Sequence, residues 1–255
     1  MTVAPANLFQ LTKVRCVALS HRVVLAPMTR LQTNPATGTV LPLTKEYYAQ
    51  HVSTSGRLLL TEGTITSPQA GGFPGVPGVW SKEQLASWKE VVDTIHTKNS
   101  FIHLQIADLR HQANPDALKV IDPSWDVVLP GDILMKDGAT PQSMTQNEIC
   151  EHIDFFRTAA VNAIEKVRFD RVKLHGANGF LIEQFLHNAS NNCTDEYSGS
   201  PEKKACFILE LVQAVSEAVG EDNVGLRLSP WNMDGGIPHS SSSTTALTIH
   251  LQIWA

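Results

Sequence analysis

Five short apolar runs, each separated from the next by a stretch with helical periodicity, constrain this chain more than any other feature. They are "RVVLAPM" (22–28), "LLLTEG" (58–63), "FIHLQIA" (101–107), "RVKLHG" (171–176) and "VGLRLSP" (224–230). Runs of this length, rich in β-branched residues and bounded by Gly or Pro, read as buried strands. The segments between them carry helix start signals. Residues 44–56 read as a helix with Thr44 as N-cap and Gly56 as its stop. Ser81 and Gln84 form a capping box before a stripe of Leu85, Trp88, Val92 and Ile95. Thr145 and Glu148 open another, with Ile149, Ile153, Phe156, Ala160 and Ile164 on one face. Ser200 and Pro201 start the next helix, which runs to Gly220.

Apolar strands alternating with capped helices predict a parallel sheet covered by helices. Two architectures fit, a doubly wound open sheet and a (β/α)8 TIM barrel. No G-x-G-x-x-G follows the first strand, so the dinucleotide fingerprint of the first architecture is missing. Polar residues gather at the carboxyl ends of the strands: Thr29, Glu62 and Gly63, Gln105, His175 and Arg227. That is where a barrel keeps its chemistry. The expected fold is α/β, an incomplete TIM barrel of about five strands over residues 1–238. Residues 239–255, "HSSSSTTALTIHLQIWA", read as a Ser/Thr-rich tail that cannot supply three further βα units. Residues 108–143 read as a long insertion, a lid or a loosely ordered loop.

Composition narrows the function. A net charge of −5, with no basic run, offers no footprint for nucleic acid or anionic lipid. No apolar run approaches the ~20 residues that span a bilayer, and the amino terminus lacks a signal-peptide pattern. Cys16, Cys150, Cys193 and Cys206 show no paired spacing and are expected to be free thiols in the cytosol. The sequons at Asn188 and Asn192 are then chance matches. No metal-ligand spacing, P-loop or G-x-S-x-G occurs, so no metal site is expected. Nothing in the sequence sets an oligomeric state.

The stretch "HGANGFLIEQFLH" holds the most specific candidates. His175 and Asn178, three apart just after a strand, suit two donors aimed at one oxygen; a core histidine satisfied by a carbonyl remains the alternative. Gln105 and Arg227 could serve a ligand or link strands internally.

The segments "VVLAPMTR", "LLLTEGTITSPQAGGFPGVPGVWS", "HGANGFLIEQFL", "TDEYSGS" and "VGLRLSPW" decide between these readings. From about residue 8 to about 234 the chain resembles the Old Yellow Enzyme family of FMN-dependent NAD(P)H oxidoreductases, ene-reductases related to 12-oxophytodienoate reductases. The resemblance implies FMN at the carboxyl mouth of the barrel. Pro27, Met28 and Thr29 of "APMT" would meet the flavin edge, Gly63 would admit the ring, and Gln105 would bond its pyrimidine side. Arg227 would face N1 and the C2 carbonyl, with His175 close to the flavin as well. His175 and Asn178 would hold the carbonyl oxygen of an enone substrate, and NAD(P)H would serve as reductant.

Several positions depart from the family pattern. Phe180 stands where the family has a tyrosine proton donor, and general acid catalysis contributes ~10²–10⁴-fold. The change is either tolerated because water reaches the site, or it diverts the chemistry to isomerisation; a non-catalytic remnant is the third reading. Ala107 replaces a large ring, Cys193 an arginine and Lys173 a glutamate; "PEKKAC" stands at an arginine-bearing helix start. Period two places Lys173 beside His175 on the barrel interior, near the cation of Arg227. The family holds the FMN phosphate with its last two βα units, so the resemblance implies that this chain, alone, is unstable and binds FMN weakly.

Overall fold

The computed structural model describes residues 7–15, 17–133 and 141–229. The expected tail at 239–255 lies outside the described residues, as do Cys16 and residues 134–140. Five strands form one parallel sheet: β1 (Val24–Leu25), β2 (Leu58–Ile65), β3 (Phe101–Ala107), β4 (Arg171–Gly176) and β5 (Val224–Leu228). Each pairs with the next in chain order. A doubly wound sheet would reverse that order at a switch point. Sequential order without reversal is the arc of a (β/α)8 barrel, and the described residues form an incomplete one.

The strands split by parity. On β3, Ile102, Leu104 and Ile106 are fully buried, and on β4 Val172 and Leu174 are too. They join the main core with Trp88, Val92 and Ile95 of α2 (Lys82–His96), Phe156 and Ala160 of α3 (Gln146–Val161), and Phe207 and Leu211 of α4 (Pro201–Val219). The alternate residues, His103, Gln105, Lys173 and His175, take the other face, as period two requires. Trp88 fills the α2 side and donates its indole N–H to the Gly78 carbonyl at 3.2 Å. An antiparallel hairpin, Thr12–Val14 with Val17–Leu19, sets Val17 and Leu19 against Leu58 and Phe101, the first residues of β2 and β3. The amino ends of those strands are thereby covered. The carboxyl ends stay open.

Both capping boxes form as expected, Ser81 with Gln84 and Thr145 with Glu148, and Ser200 caps α4. Leu85, Ile153 and Ile164 are only partly buried in their stripes. α3 runs on into a π-type turn at Asn162–Val167, which rotates the face that Ile164 presents.

Three expectations are corrected. The first helix, α1, spans Pro42–Gln50, not 44–56. Pro42 starts it, and the Thr44 hydroxyl donates to the Gln32 carbonyl at 2.7 Å instead of capping. Gly56 (φ +74) lies in a later turn whose N–H donates to Asn99; a Cβ there would sit 2.9 Å from Ser20. The strand expected at 22–28 shrinks to two residues, with Val23 and Val24 exposed and Pro27 unable to donate to a ladder. The described part of the 108–143 insertion is tied down. Asp108, fully buried, accepts from Arg110 Nε at 2.8 Å and meets His152 Nδ1 at 2.5 Å. Asn114 caps a short helix, Pro115–Ile121, and Val128–Leu129 pairs with Gln142–Ser143.

Replacing a capping hydroxyl by a methyl typically costs about 1 kcal/mol. Ser81→Ala and Thr145→Ala should each lower the free energy of urea unfolding by that amount. Unchanged transitions in both variants would contradict the role given to the boxes.

Candidate active site

A cavity of about 330 Å³ opens at the carboxyl end of the sheet. Pro27, Thr29, Gly63, Gln105, His175, Asn178, Phe180 and Arg227 all line it. Eight of the nine residues singled out from the sequence therefore meet in one place. Met28 does not: it is 44% exposed and is not part of the cavity lining.

One wall comes from β2, β3 and β5. The ladder between β2 and β3 shifts register between Leu60 and Gly63, and the Gln105 N–H donates to the Thr61 hydroxyl at 2.9 Å where a regular ladder bond is lost. The shift sets Gly63 opposite Gln105. A Cβ added at Gly63 would meet only Ala107 at 3.8 Å and Gln105 at 4.0 Å, ordinary contact distances. The protein itself does not require glycine there. Its bare backbone faces the cavity. Gln105 in turn accepts a long bond, 3.4 Å, from Arg227 Nη1. A planar heterocycle with alternating acceptors and donors along one edge suits Gln105, Arg227 and Thr29.

Between β3 and β5, the end of β4 and the turn after it supply the rest of the polar lining. His175 pairs with Arg227 across β4 and β5, and its ring meets Phe180 edge-on at 4.6 Å. His175 Nδ1 is buried without a partner among the described residues. Asn178 and Gly179 are both left-handed, at φ +60 and +79, which turns the chain sharply and brings Asn178 to the cavity beside His175. Phe180 packs with Ile65, Ala107 and Leu109 and presents no proton.

Burial and positive neighbours set the protonation. His175 is pushed down to about 3 by desolvation, then by Arg227 and Lys173, so it is neutral at pH 7. Lys173, opposite Gln105 in the register, is lowered to about 8 by burial and by Arg227. His103, one layer below, is lowered to about 4 by burial, Arg171 and Lys173. Among the described residues no carboxylate forms a salt bridge with Lys173 or Arg227. Glu62, within β2, turns away: its carboxylate accepts from the backbone of Arg30 at 2.9 Å and Leu31 at 3.4 Å, a structural tie.

Sequence reasoning missed Ile65, the last residue of β2, and Phe73, Val76 and Leu109 from neighbouring loops, which add to the apolar lining. It also missed Glu183 and Ser229, behind the Asn178 turn. Only a glutamate spaced four before His187 on a short apolar helix hinted at the former.

Known proteins resemble this chain in sequence and fold. The sequence profile of the NADH:flavin oxidoreductase / NADH oxidase family matches residues 7–246. The "Probable inactive reductase easA" of Epichloe festucae var. lolii is 43% identical over 236 residues, covering 92% of this chain and 61% of that protein. The "Chanoclavine-I aldehyde reductase fgaOx3" of Penicillium roqueforti (strain FM164) is 39% identical over 232 residues, covering 91% of this chain and 62% of that protein. The crystal structure of Old Yellow Enzyme from Pichia sp. AKU4542 superimposes with a TM-score of 0.90 at 32% identity, over 97% of this chain and 66% of that one. The chain belongs to the NADH:flavin oxidoreductase / NADH oxidase family. It spans a little over three fifths of the length of the curated relatives it matches.

The two buried histidines make stability depend on pH. Their folded pKa values, about 4 and about 3, lie below the unfolded value of 6.5. Between those limits the unfolded chain binds more protons, so their contribution is present above about pH 6.5 and is lost as pH falls toward 4. The thermal midpoint should drop from pH 7 to pH 5, and His103→Gln should flatten that slope. An identical slope in the variant would contradict the assignment.

Proposed function

We propose that this chain carries the flavin-ring and carbonyl-binding elements of an FMN-dependent oxidoreductase, using NADPH or NADH to reduce an activated alkene such as an α,β-unsaturated aldehyde or ketone. The convergence of Gly63, Gln105, His175, Asn178 and Arg227 on one cavity carries this reading. When bound, the flavin would supply two-electron redox chemistry. Gly63 leaves room for its ring, and Gln105 and Thr29 match the polar edge. Arg227 provides a fixed cation where charge gathers on reduction, and Pro27 closes the same wall. The three described cysteines are free thiols, which supports a reducing compartment, the cytosol.

His175 and Asn178 act on the substrate. As a neutral imidazole, His175 donates one N–H and does not repel Arg227. Two donors converging on the carbonyl oxygen draw electron density from the alkene, and they are strongest where charge develops in a dry cavity. Phe180 gives the cavity an apolar ring beside His175, but it cannot protonate the α-carbon. That proton must come from solvent or from the substrate itself. This one residue favours a second reading, isomerisation without net consumption of NAD(P)H. The relatives named as inactive reductases keep a third in view, a site that binds without turnover.

Titration of the chain with FMN, followed by quenching of flavin fluorescence, tests the ring site. Gln105→Ala should weaken binding about tenfold, the usual effect of one polar contact. Equal affinity in the variant, or no binding by the parent chain, would overturn the assignment. Phe180→Tyr should raise NAD(P)H-dependent enone reduction by ~10²–10⁴-fold. An unchanged rate would mean that the proton arrives without residue 180.

A further inference from the structure

The turn that presents Asn178 rests on a buried carboxylate to which the chemistry above gives no role. Glu183 lies on the short helix Leu181–Leu186 and is 4% exposed. Its Oε2 accepts the Gly179 N–H at 2.5 Å, and its Oε1 accepts the Ser229 hydroxyl at 2.6 Å. The Ser229 oxygen accepts the Asn178 N–H at 3.1 Å, which completes a chain from Glu183 back to Asn178. His187 Nε2 lies 3.7 Å from Glu183 Oε1, and Gln184 Nε2 donates to the Gly179 carbonyl at 2.6 Å. Both peptide N–H groups of the left-handed pair are thus held by one side-chain network.

We propose that Glu183 is a positioning residue for carbonyl recognition. Through Ser229 and the 178–179 peptides it fixes the direction in which Asn178 reaches the oxygen it shares with His175. The proposal rests on reading the cavity as a carbonyl site. A backbone in the left-handed region is easily lost by a non-glycine residue unless its surroundings hold it there, and here two N–H groups have one acceptor set between them. The acceptor is a carboxylate for a reason. Both of its oxygens receive donors at once, whereas an amide offers one oxygen, and charge-assisted bonds are about twice as strong as neutral ones. The network also joins the mouth of β4 to that of β5, because Ser229 follows Leu228 directly.

The test uses the chain loaded with FMN and titrated with 2-cyclohexenone, read as the change in the flavin visible spectrum. Four variants are compared: Asn178→Ala, Glu183→Gln, Ser229→Ala and the double variant Asn178→Ala/Glu183→Gln. Glu183→Gln and Ser229→Ala should each weaken enone binding about tenfold, with FMN affinity unchanged. The double variant should bind no more weakly than Asn178→Ala alone, because residues acting through one another do not add. Multiplied losses in the double variant, or parental binding by Glu183→Gln and Ser229→Ala, would overturn the proposal while leaving the carbonyl site intact. A parental affinity in Asn178→Ala would instead remove the carbonyl reading itself, and the positioning role with it. Ser229→Ala carries the same test should Glu183→Gln fail to fold.

Discussion

The period-two alternation of β3 and β4 is the constraint on which the rest depends. Every second residue, Ile102, Leu104, Ile106, Val172 and Leu174, is driven into the helix layer by burial of apolar surface. The residues between them have no choice of side. Gln105, Lys173 and His175 must face the barrel interior, and the parallel register sets Gln105 beside Lys173 and His175 beside Arg227. A slip of one residue would exchange the two sets entirely, so the force that stabilises the fold also positions the site.

The interior face is electropositive as a result. Arg227 and Lys173 carry its charge; burial and the neighbouring cations lower Lys173 and keep His103 and His175 neutral at pH 7. Such a face repels further cations and favours ligands whose electron density rises during the reaction. A carbonyl oxygen and an electron-accepting ring both answer that description. The left-handed turn at Asn178 and Gly179 supplies what regular strands cannot, a sharp change of direction that brings Asn178 to the same cavity as His175.

Short-range sequence signals reveal individual elements well and the ties between them poorly. The capping boxes at Ser81 and Thr145 were legible because cap and partner lie three residues apart. Thr44 misled, since a threonine before an apolar stretch looks like a cap while its hydroxyl in fact reaches Gln32. Met28 stands beside Thr29 in the same motif, yet its side chain is exposed and does not line the cavity. The roles of Gln105 and Arg227 stayed open on spacing alone and were chosen by family resemblance. The Asp108–Arg110–His152 cluster was invisible because His152 is 44 residues away in sequence and meets the carboxylate only in the fold. Glu183 was hidden for the same reason, since its partner Ser229 lies beyond a further helix and strand.

A crystal structure of the chain grown with FMN tests the central claim most directly. The account predicts the flavin ring over Gly63, with Gln105 and Arg227 at its polar edge and its open face toward His175 and Asn178. A ring bound elsewhere, for instance in the apolar groove lined by Pro68, Trp80 and Ile121, would contradict it.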